Sequence, residues 1–371
     1  MTQQKLPLAT IVLLGPAMHA VSGVSTHLNQ LFQSALATDF QLLHFQVGSE
    51  GRQRESALRE LARLILSPLA FAAFCLRNRP DIVHLNTSMS PKSYWRDMAY
   101  LAVAKLLGCK VLYQVHGGAL PEDMFPGNAL CRWLLRRVLR ATDIVVLLAQ
   151  VEQRAYSKFA PEVPLEVIAN AIDPKGLVRN HLDSKGRGPL HLVYVGRIAK
   201  NKGMFEVVRA LSLLRSEGRR MHLTVAGIGP DEAKLRAVVT ELRLDDHVHF
   251  AGALHGEAKD ELWCRSHVFS FPTYHREGLP YALLEAMAAG AVPVTTAVGA
   301  IPDVMVDGAD GVLVEARNPV ALADALRRLD DDRELLARMA EAGRSRVLSN
   351  YTVSRLADDF SRVYLRLAGR S

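Results

Sequence analysis

A chain of 371 residues exceeds what one ordinary hydrophobic core organises, which predicts two domains. Its 49% hydrophobic and 22% charged residues describe a globular chain and argue against disorder. The net charge of +7 comes without basic motifs interleaved with aromatics, which argues against nucleic acid as partner; Cys75, Cys109, Cys131 and Cys264 are scattered without metal or disulfide spacing, which argues for a reducing cytoplasm.

From the N-terminus, "KLPLATIVLLGPAMHA" combines one positive charge, an apolar run and a small-residue ending, as a weak secretory signal does. The same apolar-run-then-turn pattern recurs down the chain. The stretch is therefore read as a first buried strand, Leu8 to Leu14, entering a Gly-containing turn and a helix. Further strands are expected at "FQLLHFQV", "DIVHLN", "KVLYQVH", "DIVVLL" and "LEVIAN", with helical patterns between them at 94–107 and 126–140. The longest apolar run, Leu64 to Leu76, is broken by Ser67 and Pro68 and falls short of the roughly 18 residues a membrane span needs. It predicts a buried helix, a membrane-touching helix being the other reading.

Charge is uneven along the chain. Residues 1–180 hold 19 Lys plus Arg against 13 Asp plus Glu, whereas the remainder holds 26 against 25. The excess falls on Arg52, Arg54, Arg59 and Arg63, on Arg77 and Arg79, and on Arg132, Arg136, Arg137 and Arg140. Solvated helix faces account for such charges. The functional alternative is attraction to an anionic membrane surface or a phosphorylated lipid.

Residues 176–189 are polar and Gly-rich without apolar periodicity, and read as a linker. Beyond them the plan repeats with "LHLVYVG", "MHLTVAG", "HVHFAG", "HVFSFP", "VPVTT" and "GVLVE". Strands apolar throughout, alternating with helices, predict parallel sheets covered on both faces. The expected fold is α/β, with one doubly wound domain over 1–175 and a second over 190–352. The closing helix, 353–371, is expected to pack back on the first domain. Ligands of such sheets bind outside the carboxyl ends of the strands, at helix N-termini, so the strand-to-helix turns carry the information.

In "GRIAKNKG", Gly196 lets the chain turn and Arg197 and Lys202 stand near the start of a helix. Charge, helix dipole and bidentate hydrogen bonding together suit a diphosphate there. "AGIGPDEAKL" follows the next strand; Gly227 and Gly229 bracket a turn, and Pro230 suits a first helical position. Without a third glycine this is no dinucleotide fingerprint. In "FPTYHREGLPYALLEAMAAG", Pro280 opens a helix and Gly290 ends it. Glu277 then lies on the turn before the helix. Glu285 lies about a turn and a half inside, among Leu283, Leu284, Ala286 and Met287, where a carboxylate requires a partner.

The stretch from Arg276 to Val314, "REGLPYALLEAMAAGAVPVTTAVGAIPDVMVDGADGVLV", resembles the donor-site region of retaining glycosyltransferases of family four. "GRIAKNKG" resembles that family's Gly-Arg…Lys-Gly segment, "SGVSTHL" its N-terminal glycine loop, and "VHGG" its His-Gly turn. The similarity runs through almost the whole chain, in order. It implies the GT-B fold, two Rossmann-like domains facing across a cleft. It implies a nucleoside diphosphate sugar donor, UDP before GDP, with no cofactor and no metal. Arg197 and Lys202 would neutralise the diphosphate leaving group, and Glu285 would bind the ribose hydroxyls. Glu277 would hold the donor sugar, His116 would contact that sugar from the N-terminal side, and Gly23 would admit close backbone approach. Gly278, Leu279, Tyr281, Gly196 and Gly227 complete the expected donor bed.

The sequence departs from the family pattern in places. Gly278, Leu279 and Pro280 follow Glu277 where Gly-Phe-Gly is common, and Pro280 has no amide for a phosphate. Ser22 precedes Gly23 where paired glycines are common. In "LDDDRE", Asp331 or Asp332 reads as a helix cap and not a metal ligand. His84, His222 and His249 read as core residues, while His275 and Arg276 stand beside Glu277. The acceptor is expected to be a glycan or polyprenyl-diphosphate-linked glycan, as in bacterial surface polysaccharide assembly, and the protein cytoplasmic at the inner membrane face. Three other readings are a UDP-sugar epimerase of GT-B-like fold, a dinucleotide-dependent oxidoreductase, and a non-catalytic nucleotide-sugar-binding protein.

Overall fold

The structure, a computed structural model, describes residues 7–20, 22–48, 57–178 and 188–370, with the backbone alone for 57–63. Arg52, Arg54 and most of the expected linker lie outside the described residues, as do the side chains of Arg59 and Arg63. The chain forms two compact units, Met1–Ala171 with Val353–Ser371, and Ile172–Thr352.

The first unit runs β1 (Thr10–Gly15), α1 (Gly23–Gln33), α2 (Leu36–Asp39), β2 (Gln41–Gln46), α3 (Ala57–Asn78), β3 (Ile82–Met89), α4 (Pro91–Leu106), β4 (Lys110–Gly118), α5 (Ala129–Ala141), β5 (Ile144–Leu147), α6 (Gln150–Phe159) and β6 (Leu165–Val167). Its sheet has the order β2-β1-β3-β4-β5-β6 and is parallel throughout. Successive strand residues point to opposite faces. Val12, Leu14, Val83, Leu85, Val111 and Tyr113 accordingly pack on one side with Phe71, Tyr94 and Leu135. Ile11, Leu13, Ile82, Leu112 and Ile144 pack on the other with Leu28 and Leu31. Both faces are covered, so the strands read as continuous apolar runs.

The stretch Leu64 to Leu76 does form a helix, α3, with Pro68 inside it. Only part of that helix is buried. Phe71 and Cys75 enter the core, whereas Ile65, Leu66, Leu69 and Leu76 are exposed. Among the described residues no helix is long and apolar enough to cross a membrane.

The second unit runs β7 (Leu190–Val195), α7 (Met204–Ser216), β8 (Met221–Ala226), α8 (Glu232–Glu241), β9 (Val248–Gly252), α9 (Gly256–Arg265), β10 (Val268–Phe271), α10 (Tyr281–Ala288), β11 (Val292–Thr296), α11 (Ile301–Val304), β12 (Val312–Val314), α12 (Pro319–Asp331) and α13 (Arg333–Asn350). Its sheet, β12-β11-β10-β7-β8-β9, is again parallel. From β7 the chain winds outward through β8 and β9, then returns to the other side of β7 with β10. The winding therefore reverses between β7 and β10; in the first unit it reverses between β1 and β3. These reversals open the crevices where doubly wound sheets bind ligands.

Four details differ from expectation. Pro280 is the N-cap of α10 and not its first helical residue, its ψ of 125 being extended. Pro230 lies before α8: Asp231 takes the cap position and is drawn to the preceding loop, accepting from the Lys200 amide at 3.0 Å. His222 and His249 are exposed and not core residues, because their strand positions alternate with the buried Met221, Leu223 and Val248. Asp332, by contrast, caps α13 through the Leu335 amide, and Asp331 pairs with Arg219.

The chain ends in α14 (Val353–Leu367), which packs on α1 and α2 of the first unit. Its Leu356, Phe360, Val363 and Tyr364 recur on one helical face and are buried in that core. Each such burial stabilises by about 1.5–3 kcal/mol.

Candidate functional site

The crevice between β7 and β10 gathers most of the residues expected to bind a donor. After β7 the chain turns at Gly196, and the buried Tyr194 hydroxyl donates to the Arg197 carbonyl at 2.8 Å, holding that turn. Residues Lys200–Lys202 form a single 3₁₀ turn, and α7 begins at Met204, two residues after Lys202. Between them Gly203 has a φ of +80 and a Cβ there would lie 2.2 Å from the Pro272 carbonyl oxygen. Only glycine lets the β7 turn pass so close to the β10 turn. Asn201 ties the two turns together, its carbonyl accepting from the Tyr274 and His275 amides, each at 3.1 Å.

This approach joins two expected site residues. Lys202 Nζ lies 2.5 Å from Oε1 of Glu277, and Thr273 Oγ1 donates to the same oxygen at 3.1 Å. Both ionic side chains are largely buried, at 18% and 13% exposure. His275 sits on the rim, its imidazole held below its ordinary pKa first by desolvation and then by the Lys202 charge. Gly227, after β8, passes so near that a Cβ would fall 1.8 Å from the Gly196 carbonyl oxygen. Arg197 is exposed.

Glu285 is engaged separately. Its Oε1 pairs with Lys259 Nζ at 2.7 Å and its Oε2 accepts from Trp263 Nε1 at 3.1 Å. The partner that its place among apolar residues required is therefore present, in duplicate. Lys259 and Trp263 lie four apart on α9 and share one helical face. Nearby, Leu279 is buried, while Gly278 and Tyr281 are half-buried at the start of α10. Burial and then the Glu285 charge push the Tyr281 hydroxyl above its ordinary pKa.

In the first unit, Gly23 is the exposed first residue of α1, after Ser22, whose hydroxyl accepts from the Ser25 amide at 3.3 Å. His116, near the end of β4, is half-buried. It belongs to a cluster of three imidazoles, with the His27 ring centroid 4.8 Å from its own and the His84 and His27 centroids 6.5 Å apart. His84 is buried between the Tyr364 hydroxyl and Gln114 Oε1, each at 2.8 Å, which bears out its reading as a core residue. Desolvation is the main cause that lowers all three, His27 to about 4, His84 to about 3, and His116 well below its ordinary value. All three are neutral at neutral pH.

Lys259, Trp263, Thr273 and Asn201 were not anticipated from the sequence. Only the Lys259–Trp263 spacing carried a signal, and it named no partner. Among the described residues no group of three or more His, Cys, Asp or Glu side chains forms a metal-binding cluster.

Comparison with known proteins gives two family matches, Glycosyltransferase Family 4 over residues 21–175 and Glycosyl transferases group 1 over residues 183–346. The chain is 30% identical over 273 residues, 68% of its length and 69% of the other's, to the GDP-mannose-dependent alpha-(1-6)-phosphatidylinositol monomannoside mannosyltransferase of Mycobacterium tuberculosis. It is 27% identical over 303 residues, 77% of its length and 69% of the other's, to the glycogen synthase of that organism. Among solved structures, sucrose-phosphate synthase from Thermosynechococcus elongatus superposes with a TM-score of 0.79 at 18% identity, covering 98% of this chain and all of that one (100%). On these matches, and on two parallel doubly wound sheets, the chain belongs to the group 1, family 4 glycosyltransferases of GT-B fold.

Proposed function

We propose that this glycosyltransferase is retaining and metal-independent, and moves a sugar from a nucleoside diphosphate to a lipid-linked glycan. The observation that carries the reading is the Lys202–Glu277 pair over the β7/β10 crevice, with Glu285 anchored one helix turn away from the start of α10. Arg197 and Lys202 bind the diphosphate, and Glu285 the ribose hydroxyls. Glu277 holds the donor sugar against the reacting carbon. An ammonium already beside a carboxylate serves both groups, steadying Glu277 while stabilising the charge that grows on the leaving diphosphate. That diphosphate assists deprotonation of the acceptor hydroxyl, so Glu277 acts by position and charge and not as a nucleophile. Within the first unit, His116 binds a sugar hydroxyl and Gly23 admits close backbone approach of a ligand.

Calorimetric titration with UDP, GDP, ADP and NAD tests the donor assignment. The mycobacterial relative is named for GDP-mannose, and a structure of Anabaena HepE, which superposes with a TM-score of 0.74 at 14% identity, contains UDP, so both bases are compared. Selective binding of one nucleoside diphosphate, lost in Arg197→Ala, supports the reading; binding of NAD alone overturns it. Release of the nucleotide or isomerisation of the sugar without acceptor would favour an epimerase.

The lipid acceptor is supported by the surface of α5. Leu130 and Trp133 are 66% and 53% exposed, among exposed Arg132, Arg136, Arg137 and Arg140. An amphipathic tryptophan amid arginines suits an anionic membrane surface. Co-sedimentation with anionic vesicles that survives neutralisation of the four arginines would remove this patch as the contact.

A further inference from the structure

The His116 imidazole is locked by a hydrogen-bond chain with a defined direction. Asn86, on β3, is buried, and its Nδ2 lies 3.1 Å from the Leu14 carbonyl on β1. A carbonyl oxygen only accepts, so the amide nitrogen must face it. The Asn86 Oδ1 is thereby turned towards His116, whose Nε2 lies 2.8 Å away. That oxygen also only accepts, so Nε2 carries the proton. In a neutral imidazole Nδ1 is then a bare lone pair. These hydrogen bonds span the β1/β3 reversal of the first sheet, so the backbone of β1 sets the protonation of a ring at the end of β4.

We propose that Asn86 is a positioning residue that fixes His116 as its Nε2-protonated tautomer, presenting Nδ1 as an acceptor for a sugar hydroxyl. The sugar as ligand rests on the function proposed above; the tautomer does not. The titratable groups facing His116 are His27 on α1 and His84 on β3, both buried and uncharged at neutral pH, and neither reverses the direction of the chain. A proton on Nδ1 in the other tautomer would turn that acceptor into a donor, so the hydroxyl could no longer donate to the ring and would have to accept from it.

The test is nitrogen NMR of the full chain labelled in its histidine rings, with the His116 signals assigned by their loss in His116→Gln. The expected spectrum at neutral pH shows Nε2 protonated and Nδ1 bare; the opposite pattern overturns the proposal. In Asn86→Leu the tautomer should become mixed, and an unchanged ring also overturns it. Should that variant not fold, Asn86→Asp decides. Its carboxylate keeps the acceptor and the tautomer but favours the imidazolium, so the His116 titration must move to higher pH, and a titration that stays in place overturns the proposal. Addition of the nucleotide sugar that calorimetry identifies should shift the Nδ1 signal, and kcat/KM in Asn86→Leu should fall about tenfold, the effect of one hydrogen bond, with nucleotide affinity unchanged. A Nδ1 signal indifferent to a bound nucleotide sugar removes the sugar contact. Failure of every nucleotide sugar to bind removes the proposed function and leaves the tautomer assignment standing.

Discussion

The Lys202 ammonium lies 2.5 Å from the Glu277 carboxylate, although 75 residues separate them in the chain. The contact brings a cation assigned to the leaving group against a carboxylate assigned to the sugar. Replacing Glu277 by Gln keeps the shape and the Thr273 hydrogen bond while removing the charge. Transfer should fall at least about a hundredfold, the scale of losing a positioned electrostatic contact. Far-ultraviolet circular dichroism should remain that of the parent. Activity near wild type would remove Glu277 from the site.

Trp263→Phe keeps the ring in its buried place and deletes the Nε1 donor to Glu285. Nucleotide affinity should weaken about tenfold, the range for a hydrogen bond to a charged group, and calorimetry reads it directly. Lys259→Met should weaken binding similarly and reduce its dependence on salt. Unchanged affinity in both would show that Glu285 needs no orientation to bind.

Gly203→Ala and Gly218→Ala form a matched pair. Both glycines have a φ near +80, but a Cβ at Gly203 meets the Pro272 carbonyl at 2.2 Å, whereas at Gly218 nothing lies within 4 Å. The left-handed backbone alone costs about 1–2 kcal/mol for alanine. Urea denaturation should therefore show a modest loss for Gly218→Ala and a clearly larger one for Gly203→Ala. Equal losses would mean that the two turns can separate freely.

The histidine cluster predicts loss of stability in acid. His27 and His84 titrate near 4 and 3 when folded, against an ordinary value of 6.5. Below pH 6.5 the unfolded chain therefore binds more protons than the folded one, and stability falls as pH drops towards the folded values. Each histidine contributes roughly 1.5 kcal/mol of that loss between pH 6.5 and 5, since the unfolded imidazole is half protonated at pH 6.5. Neither ring nitrogen of His27 has a partner in good hydrogen-bond geometry, Gln114 raising its pKa only against the larger effect of burial, so His27→Leu should cost little at neutral pH and should flatten the acid limb. Denaturation midpoints at pH 7 and 5 check both statements.

Much of this was legible in advance, for definite reasons. Every expected strand is present in one of the two parallel sheets, because strands that helices cover on one or both faces carry apolar runs bounded by turn residues. The placement of Glu277 on a turn and of Glu285 inside a helix was legible because Pro280 and Gly290 bracket the helix between β10 and β11. His222 and His249 were misread because an apolar neighbourhood in sequence does not say which face of a strand is covered. Pro230 was misread because Asp231 is held by an amide from another turn, a contact that local spacing does not contain.

The sequence by itself determined the two-sheet α/β architecture and which turns hold charged residues, since these follow from periodicity and from glycine and proline chemistry within a few residues; the family followed from the resemblance of whole motifs and from the family matches. Only the tertiary structure decided the pairings. Lys202 meets Glu277 because β7 and β10, distant in the chain, are neighbours at the reversal of the sheet. Glu285 meets Lys259 and Trp263 because α9 and α10 flank the same strand, and His116 takes its tautomer from the Leu14 carbonyl through Asn86. Hydrogen bonds and ion pairs act over about 3 Å, and strand order, which the linear pattern leaves open, sets which groups come that close.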